Sequence, residues 1–140
     1  MMAPQAGKSG THHEVRVAVA CTEDVVQARQ QGRNMAVGLG FSPSEATLIA
    51  AAISELARNI VRYADHGEIL MRVDPDGMLF IVARDEGPGI PDMQAAMRSG
   101  FSTAGGLGLG LPGVRRIADH FEVVSSSRGT TVTLGKRRRR

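Results

Sequence analysis

Three groups of residues carry the chemical content of this 140-residue chain. Glu55 and Asn59 stand four apart in an apolar-periodic stretch, so a helix would put them on one face. A carboxylate there can take a proton as a general base. A carboxamide oxygen is a hard ligand of the kind Mg²⁺ accepts beside waters and phosphate oxygens. The same pair would also serve as an ordinary solvated helix face. The second group is Asp85-Glu86-Gly87-Pro88-Gly89-Ile90, straight after an apolar run. Asp85 at a strand end is a fixed acceptor, and Gly87 and Gly89 let the backbone pass close to a flat ligand; a plain turn uses the same residue types. The third is Gly105-Gly106-Leu107-Gly108-Leu109-Gly110-Leu111, led in by Ser102-Thr103. Such a loop can wrap a polyphosphate with backbone N–H groups and hand it to the N-terminus of a helix opening at Leu111. A flexible linker is the alternative, but the interleaved leucines need burial somewhere. The P-loop lysine is missing, since no Lys lies between residues 9 and 135. Charge neutralisation there would fall to metal, backbone amides and Arg.

These residues need elements to position them. Alternation of Val15, Val17 and Val19 predicts a half-buried strand over 14–20. Thr22 suits a helix N-cap, with Glu23 and Asp24 in the first turn and Gly40 at the far end, near Leu39. Ser42-Pro43-Ser44-Glu45 is a strong helix start, and the helix it opens carries Glu55 and Asn59 and ends near Ala64. Stretches 68–73 and 78–84 flank Asp74-Pro75-Asp76-Gly77 and read as a hairpin. A loop over 85–91, a short helix over 92–98 and the Gly-dense loop over 100–110 follow. A helix to about Asp119 and two strands, 121–126 and 130–134, close the chain. Strands that come as hairpins predict an α+β two-layer sandwich: a mixed, mostly antiparallel sheet with helices on one face. Residues 1–13 read as a flexible leader, 14–135 as one domain and 136–140 as a basic, solvated tail.

Composition narrows the function. Apolar residues are 42% and charged residues 22%, which fits a soluble globular domain, and no apolar run reaches membrane length. No signal peptide is visible, so the cytoplasm is the expected compartment. Cys21 alone supports neither a disulfide framework nor a Cys-built metal site. His12, His13, His66 and His120 suit surface or core roles, and Gly7-Lys8-Ser9 lacks the spacing of a phosphate loop. The net charge of +3 is set by the last five residues, all basic. Between residues 14 and 135 the acidic side chains outnumber the basic ones. With aromatics at only 4%, nucleic-acid binding is disfavoured.

In order and spacing, Glu55…Asn59, Asp85-x-Gly87-x-Gly89, Gly106-x-Gly108-x-Gly110 and Gly129-Thr130 resemble the GHKL (Bergerat-fold) ATPase superfamily. The stretches TLIAAAISELARNIVRYA, DEGPGIPD, GFSTAGGLGLGLPGVRRIADHF and GTTVTL resemble, within it, the stressosome switch kinases, small bacterial serine/threonine kinases. The resemblance covers about residues 14–134. It implies ATP and Mg²⁺ as cofactors, with Glu55 as general base, Asn59 as Mg²⁺ ligand and Asp85 on the adenine amino group. Thr130 would support that contact, and Gly87, Gly89 and Ile90 would shape the adenine pocket. Ser102, Thr103, Gly105, Gly106, Leu107, Gly108, Leu109, Gly110 and Leu111 would line the phosphate side as a lid. The implied partners are STAS-domain proteins (RsbS- and RsbR-like) as substrates, with a PP2C-type phosphatase or another regulator as output. A dimer stays open. Anti-sigma factor kinases, which share the ATP site but sequester a sigma factor, are the rival reading. A non-catalytic nucleotide-gated module is a further one, against which the presence of a base at Glu55 argues.

Overall fold

The computed structural model describes residues 14–90 and 110–138. Five strands, β1 (Glu14–Val19), β2 (Gly67–Val73), β3 (Leu79–Asp85), β4 (His120–Ser126) and β5 (Gly129–Lys136), form one sheet in the order β1-β2-β3-β5-β4. All four pairings are antiparallel. Helices α1 (Thr22–Gly38), α2 (Pro43–Tyr63) and α3 (Gly110–Ile117) pack on one face, α1 against β1, α2 against β2 and β3, and α3 against β5. The expected α+β sandwich is therefore the one found. The predicted short helix over 92–98 lies outside the described residues.

Alternation along each strand decides which face is covered. Val17, Val19, Ile69, Met71, Leu79, Ile81, Ala83, Val132 and Leu134 point under the helices and are buried. Ile49, Ile53, Leu56 and Ile60 form the matching stripe of α2. Small residues bring the helices close: a Cβ on Gly32 of α1 would overlap the Ile53 side chain. The start of α2 follows its sequence closely. The Ser42 hydroxyl accepts from Glu45 N at 3.1 Å, and the Glu45 carboxylate accepts from Ser42 N at 3.2 Å, with Pro43 at the first helical position. In the β2–β3 hairpin, Asp74 Oδ1 accepts from both Asp76 N and Met78 N at 2.9 Å.

Two expectations change. Thr22 is the first residue of α1, not its cap; Cys21 takes the cap position without a side-chain cap bond. Asp24 Oδ2 instead accepts from Ala20 N at 2.8 Å, tying the helix start back to β1. The basic tail is also partly built in. Lys136 is the last residue of β5, paired with Leu79, and Arg137 N donates to Asp119 Oδ2 at 2.6 Å. Arg138 Nη1 donates to the Leu39 carbonyl at 2.8 Å, where α1 ends and a cation meets the negative end of the helix dipole.

Candidate active site

The long helix and the end of β3 converge on one cavity. It is lined by Leu56, Ile60, Tyr63, Ala83, Ile90 and Val132, with Asn59, Asp85 and Thr130 as its polar groups. Apolar walls with a few convergent polar groups are the usual make-up of a small-molecule site, but the free space here is only about 10 Å³, so the side chains around it would have to part to admit a ligand. Sequence reasoning thus named four residues, Asn59, Asp85, Ile90 and Thr130, that the fold brings together from three elements and a loop.

Asp85 closes β3 opposite Thr130 in the β3–β5 register. Its Oδ1 accepts from Gly87 N at 2.9 Å and from Thr130 N at 3.3 Å. Those two donors fix the carboxylate and leave Oδ2 for a ligand. The loop after Asp85 is pressed between α2 and β4. A Cβ on Gly87 would overlap Ala64 and the Tyr63 carbonyl. Gly89 has φ +89, and a Cβ there would overlap the Ser126 carbonyl. Both glycines are therefore demanded by close approach to the protein's own α2 end and β4, where the sequence reading expected a flat ligand.

Thr130 is 6% exposed, and its hydroxyl lies 2.8 Å from Ser125 Oγ, which also accepts from Ile90 N at 3.0 Å. Ser125 was missed by sequence reasoning. The signal was present in the hairpin register, because Ser125 on β4 faces Thr130 on β5 across a turn at 127–128.

One helical turn from Asn59, Glu55 is 3% exposed. Its Oε1 has no hydrogen-bond partner among the described residues. Arg58 Nη2 approaches it at 3.6 Å, near enough for charge attraction and too far for a hydrogen bond. Ser54 Oγ beside it is likewise buried and unbonded among the described residues. Burying an ionisable acceptor without a donor is costly, so its retention needs a chemical reason. No group of three or more His, Cys, Asp and Glu side chains gathers among the described residues, and the Asn59 side chain lines the cavity beside Asp85.

Gly110 and Leu111 open α3, one residue earlier than expected. The Leu111 side chain is in the hydrophobic core, leaving its backbone as the part that could meet a ligand. Ser102, Thr103, Gly105, Gly106, Leu107, Gly108 and Leu109 lie outside the described residues. A more open groove of about 620 Å³ has Arg62, Asp65, His66 and Glu86 around it, and shares Gly87 with the expected site and Tyr63 with the cavity above.

A sheet with helices on one face, a carboxylate fixed at the end of a central strand and an Asn–Glu pair on the covering helix define a class. The chain belongs to the histidine kinase-, DNA gyrase B- and HSP90-like ATPases, whose family model matches residues 44–139. It is 51% identical over 113 residues to the serine/threonine-protein kinase RsbT of Bacillus subtilis (strain 168), covering 78% of this chain and 85% of that one. Among solved structures it resembles the RsbU and RsbW domains of Rv1364c from Mycobacterium tuberculosis. There the TM-score is 0.68 at 19% identity, over 91% of this chain and a third (33%) of that one. It also resembles the SiaB–SiaC complex from Pseudomonas aeruginosa, with a TM-score of 0.63 at 15% identity over 92% of each chain. These two likenesses speak for the fold alone. No described helix is long and apolar enough to cross a membrane.

Proposed function

We propose that this chain is an ATP-dependent protein serine/threonine kinase of the RsbT type, which phosphorylates a Ser or Thr of STAS-domain partners in a partner-switching pathway. The observation that carries the reading is the cavity shared by Asp85, Thr130 and Asn59, with Glu55, whose Oε1 has no hydrogen-bond partner among the described residues, one turn along α2. Kinship at 51% identity to a serine/threonine-protein kinase supports a protein Ser or Thr as acceptor, and the STAS class is what the sequence resemblance implies. A PP2C-type phosphatase or another regulator is the output partner this reading implies. A second copy of the chain is compatible with it.

The mechanism follows from the side chains. Asp85 Oδ2 accepts from the amino group of adenine while Oδ1 stays on its two backbone donors. Leu56, Ile60 and Val132, which line the cavity, would supply apolar cover for the ring once the pocket opens to admit it. The donor set suits Mg²⁺, which takes one or two protein oxygens and keeps phosphate oxygens and waters for the rest. Asn59 would hold it through the amide oxygen, and the ion supplies charge neutralisation to the triphosphate when bound. Glu55 takes the proton from the substrate hydroxyl as that oxygen bonds to the γ-phosphorus and the bond to the ADP oxygen breaks. Most of the acceleration comes from positioning and electrostatics.

The test is transfer of labelled γ-phosphate from ATP to a purified STAS-domain protein, with the modified residue mapped by mass spectrometry. Label on a Ser or Thr of the STAS protein is the expected result. Nucleotide binding without transfer to any STAS protein would overturn the kinase reading. Stable capture of a sigma factor in the same mixture would favour the anti-sigma factor reading instead.

A further inference from the structure

No lysine stands between residues 9 and 135, so charge neutralisation at the phosphoryl end of the site falls to a metal ion or an arginine. Arg115 and Arg116 are exposed in the last turn of α3. Arg62 lines the open groove, with its guanidinium 5.9 Å from the Tyr63 ring centroid. Arg58 is the arginine that meets Glu55, with Nη2 3.6 Å from Oε1. Arg58 stands three residues after Glu55 and Asn59 stands four, so the two flank the carboxylate from the next turn of α2. Asn59 takes the cavity side, and Arg58 is not among the residues that line the cavity.

The length of the Arg58–Glu55 contact matters. A bidentate arginine–carboxylate pair closes to about 2.7–2.9 Å and occupies the carboxylate lone pairs. At 3.6 Å the charges attract, yet Oε1 has no hydrogen-bond partner among the described residues and stays open to a proton. Burial is also uneven across the pair: the Arg58 side chain is 33% exposed and that of Glu55 only 3%. The guanidinium carries five N–H donors and keeps its charge at any working pH. Glu55 attracts it without tying those donors down.

Proton transfer changes what Arg58 faces. On the kinase reading above, the substrate oxygen bonds to the γ-phosphorus, its proton passes to Glu55, and the bond to the ADP oxygen breaks. Glu55 is then neutral, and the anion left beside it is the phosphoryl group. The attraction of Arg58 passes from the carboxylate to the phosphoryl oxygens during the step. A cation that gains its partner only as the reaction proceeds lowers the barrier without tightening the ground state. On that reading, we propose that Arg58 is a catalytic residue of the transfer step. It pairs with Glu55 before the proton moves and with the transferring phosphoryl group afterwards.

The experiment uses the full chain and compares wild type, Arg58→Ala and Arg58→Lys. Transfer of labelled γ-phosphate to a purified STAS-domain protein at saturating ATP gives kcat, and calorimetry gives the ADP and AMP-PNP affinities. Arg58→Ala should lower kcat by about 10²–10³-fold, the cost of one preorganised transition-state donor, with both affinities within about threefold of wild type. Arg58→Lys should recover part of the loss. Ethylguanidinium added to Arg58→Ala should do the same, because it returns a cation to the vacated place. A kcat within about threefold of wild type in Arg58→Ala overturns the proposal, since such a donor is worth far more. A fall in nucleotide affinity that matches the fall in kcat/KM overturns it as well, because Arg58 is then a ground-state contact. A lost kcat that neither lysine nor ethylguanidinium restores also overturns it, because Arg58 then holds structure and not charge. No transfer by folded wild type that binds ATP overturns the kinase reading itself, and the proposal with it. If Arg58→Ala does not fold, Arg58→Gln, which keeps most of the stem and loses the charge, takes its place with the same outcomes.

Discussion

Two carboxylates face the same end of this molecule and are held in opposite ways. Asp85 has one oxygen occupied by two backbone donors, from Gly87 and Thr130, and stands where β3, β5 and the following loop meet. Glu55 is buried more deeply, yet its Oε1 has no hydrogen bond among the described residues and only the Arg58 charge 3.6 Å away. A group meant to recognise a fixed shape is worth immobilising, because preorganisation removes the entropy of ordering it later. A group meant to take a proton must keep a lone pair available to the reacting atom. The contrast is what the proposed function asks for, recognition at Asp85 and proton transfer at Glu55.

The sharpest way to break that division is Glu55→Gln. Phosphoryl transfer should fall by about 10²–10⁴-fold, the usual worth of a general base, while ADP affinity stays within about threefold. A parallel loss of binding would make Glu55 a recognition group too, and the comparison would collapse. Asp85→Asn is the mirror image. Removing a charged acceptor from a nucleotide should weaken ADP binding by about 10- to 100-fold, measured by calorimetry. Transfer at saturating ATP should change far less. Asn59→Ala separates a third contribution. ADP binding in the presence of Mg²⁺ should drop towards its metal-free level, by roughly tenfold, and metal-free binding should not move. Equal loss with and without Mg²⁺ would place Asn59 on the nucleotide instead.

How legible these roles were depended on the range of the interactions behind them. Ser42-Pro43-Ser44-Glu45 announced α2 because a capping box is completed within four residues. The Asp74–Gly77 turn was equally local. Thr22 failed as a cap for a tertiary reason: Asp24 reaches back to the end of β1, and the helix start moves with it. The tail was misjudged for the same kind of reason. Five basic residues in a row read as solvated, but Lys136 is zipped into β5 by Leu79, and Arg138 is held by the Leu39 carbonyl 99 residues away. In the site, Glu55, Asn59 and Asp85 could be named from type and spacing, and Thr130 only through the family resemblance. Ser125 could not, because its importance comes only from the register that sets it opposite Thr130.

A third carboxylate sharpens the comparison from outside the site. Glu68, on the uncovered face of the sheet, accepts from Arg84 at 2.6 Å and from Arg16 at 3.1 Å, so by count of charged partners it is the best served of the three. The hydrogen bond from Arg84, and then Arg16, outweigh its slight desolvation and hold its pKa below the ordinary glutamate value. A depressed folded-state pKa means the unfolded chain binds the proton more readily. The pairing therefore adds stability above the unfolded value near about pH 4.3 and loses it as pH falls through the folded one. Both arginines are more than half exposed, so water and salt screen the pair heavily. Glu68→Gln should lower stability at pH 7 by less than about 1 kcal/mol, an effect that shrinks further in 1 M salt and vanishes at a pH acid enough to protonate Glu68 in the folded protein. Urea unfolding at the two pH values measures it. A loss larger than that of a buried pair would show that the open face is not simply solvated. A loss within the stated bound leaves the ordering intact: the carboxylate with the most partners contributes least, because exposure and not partner number sets what a charge is worth here.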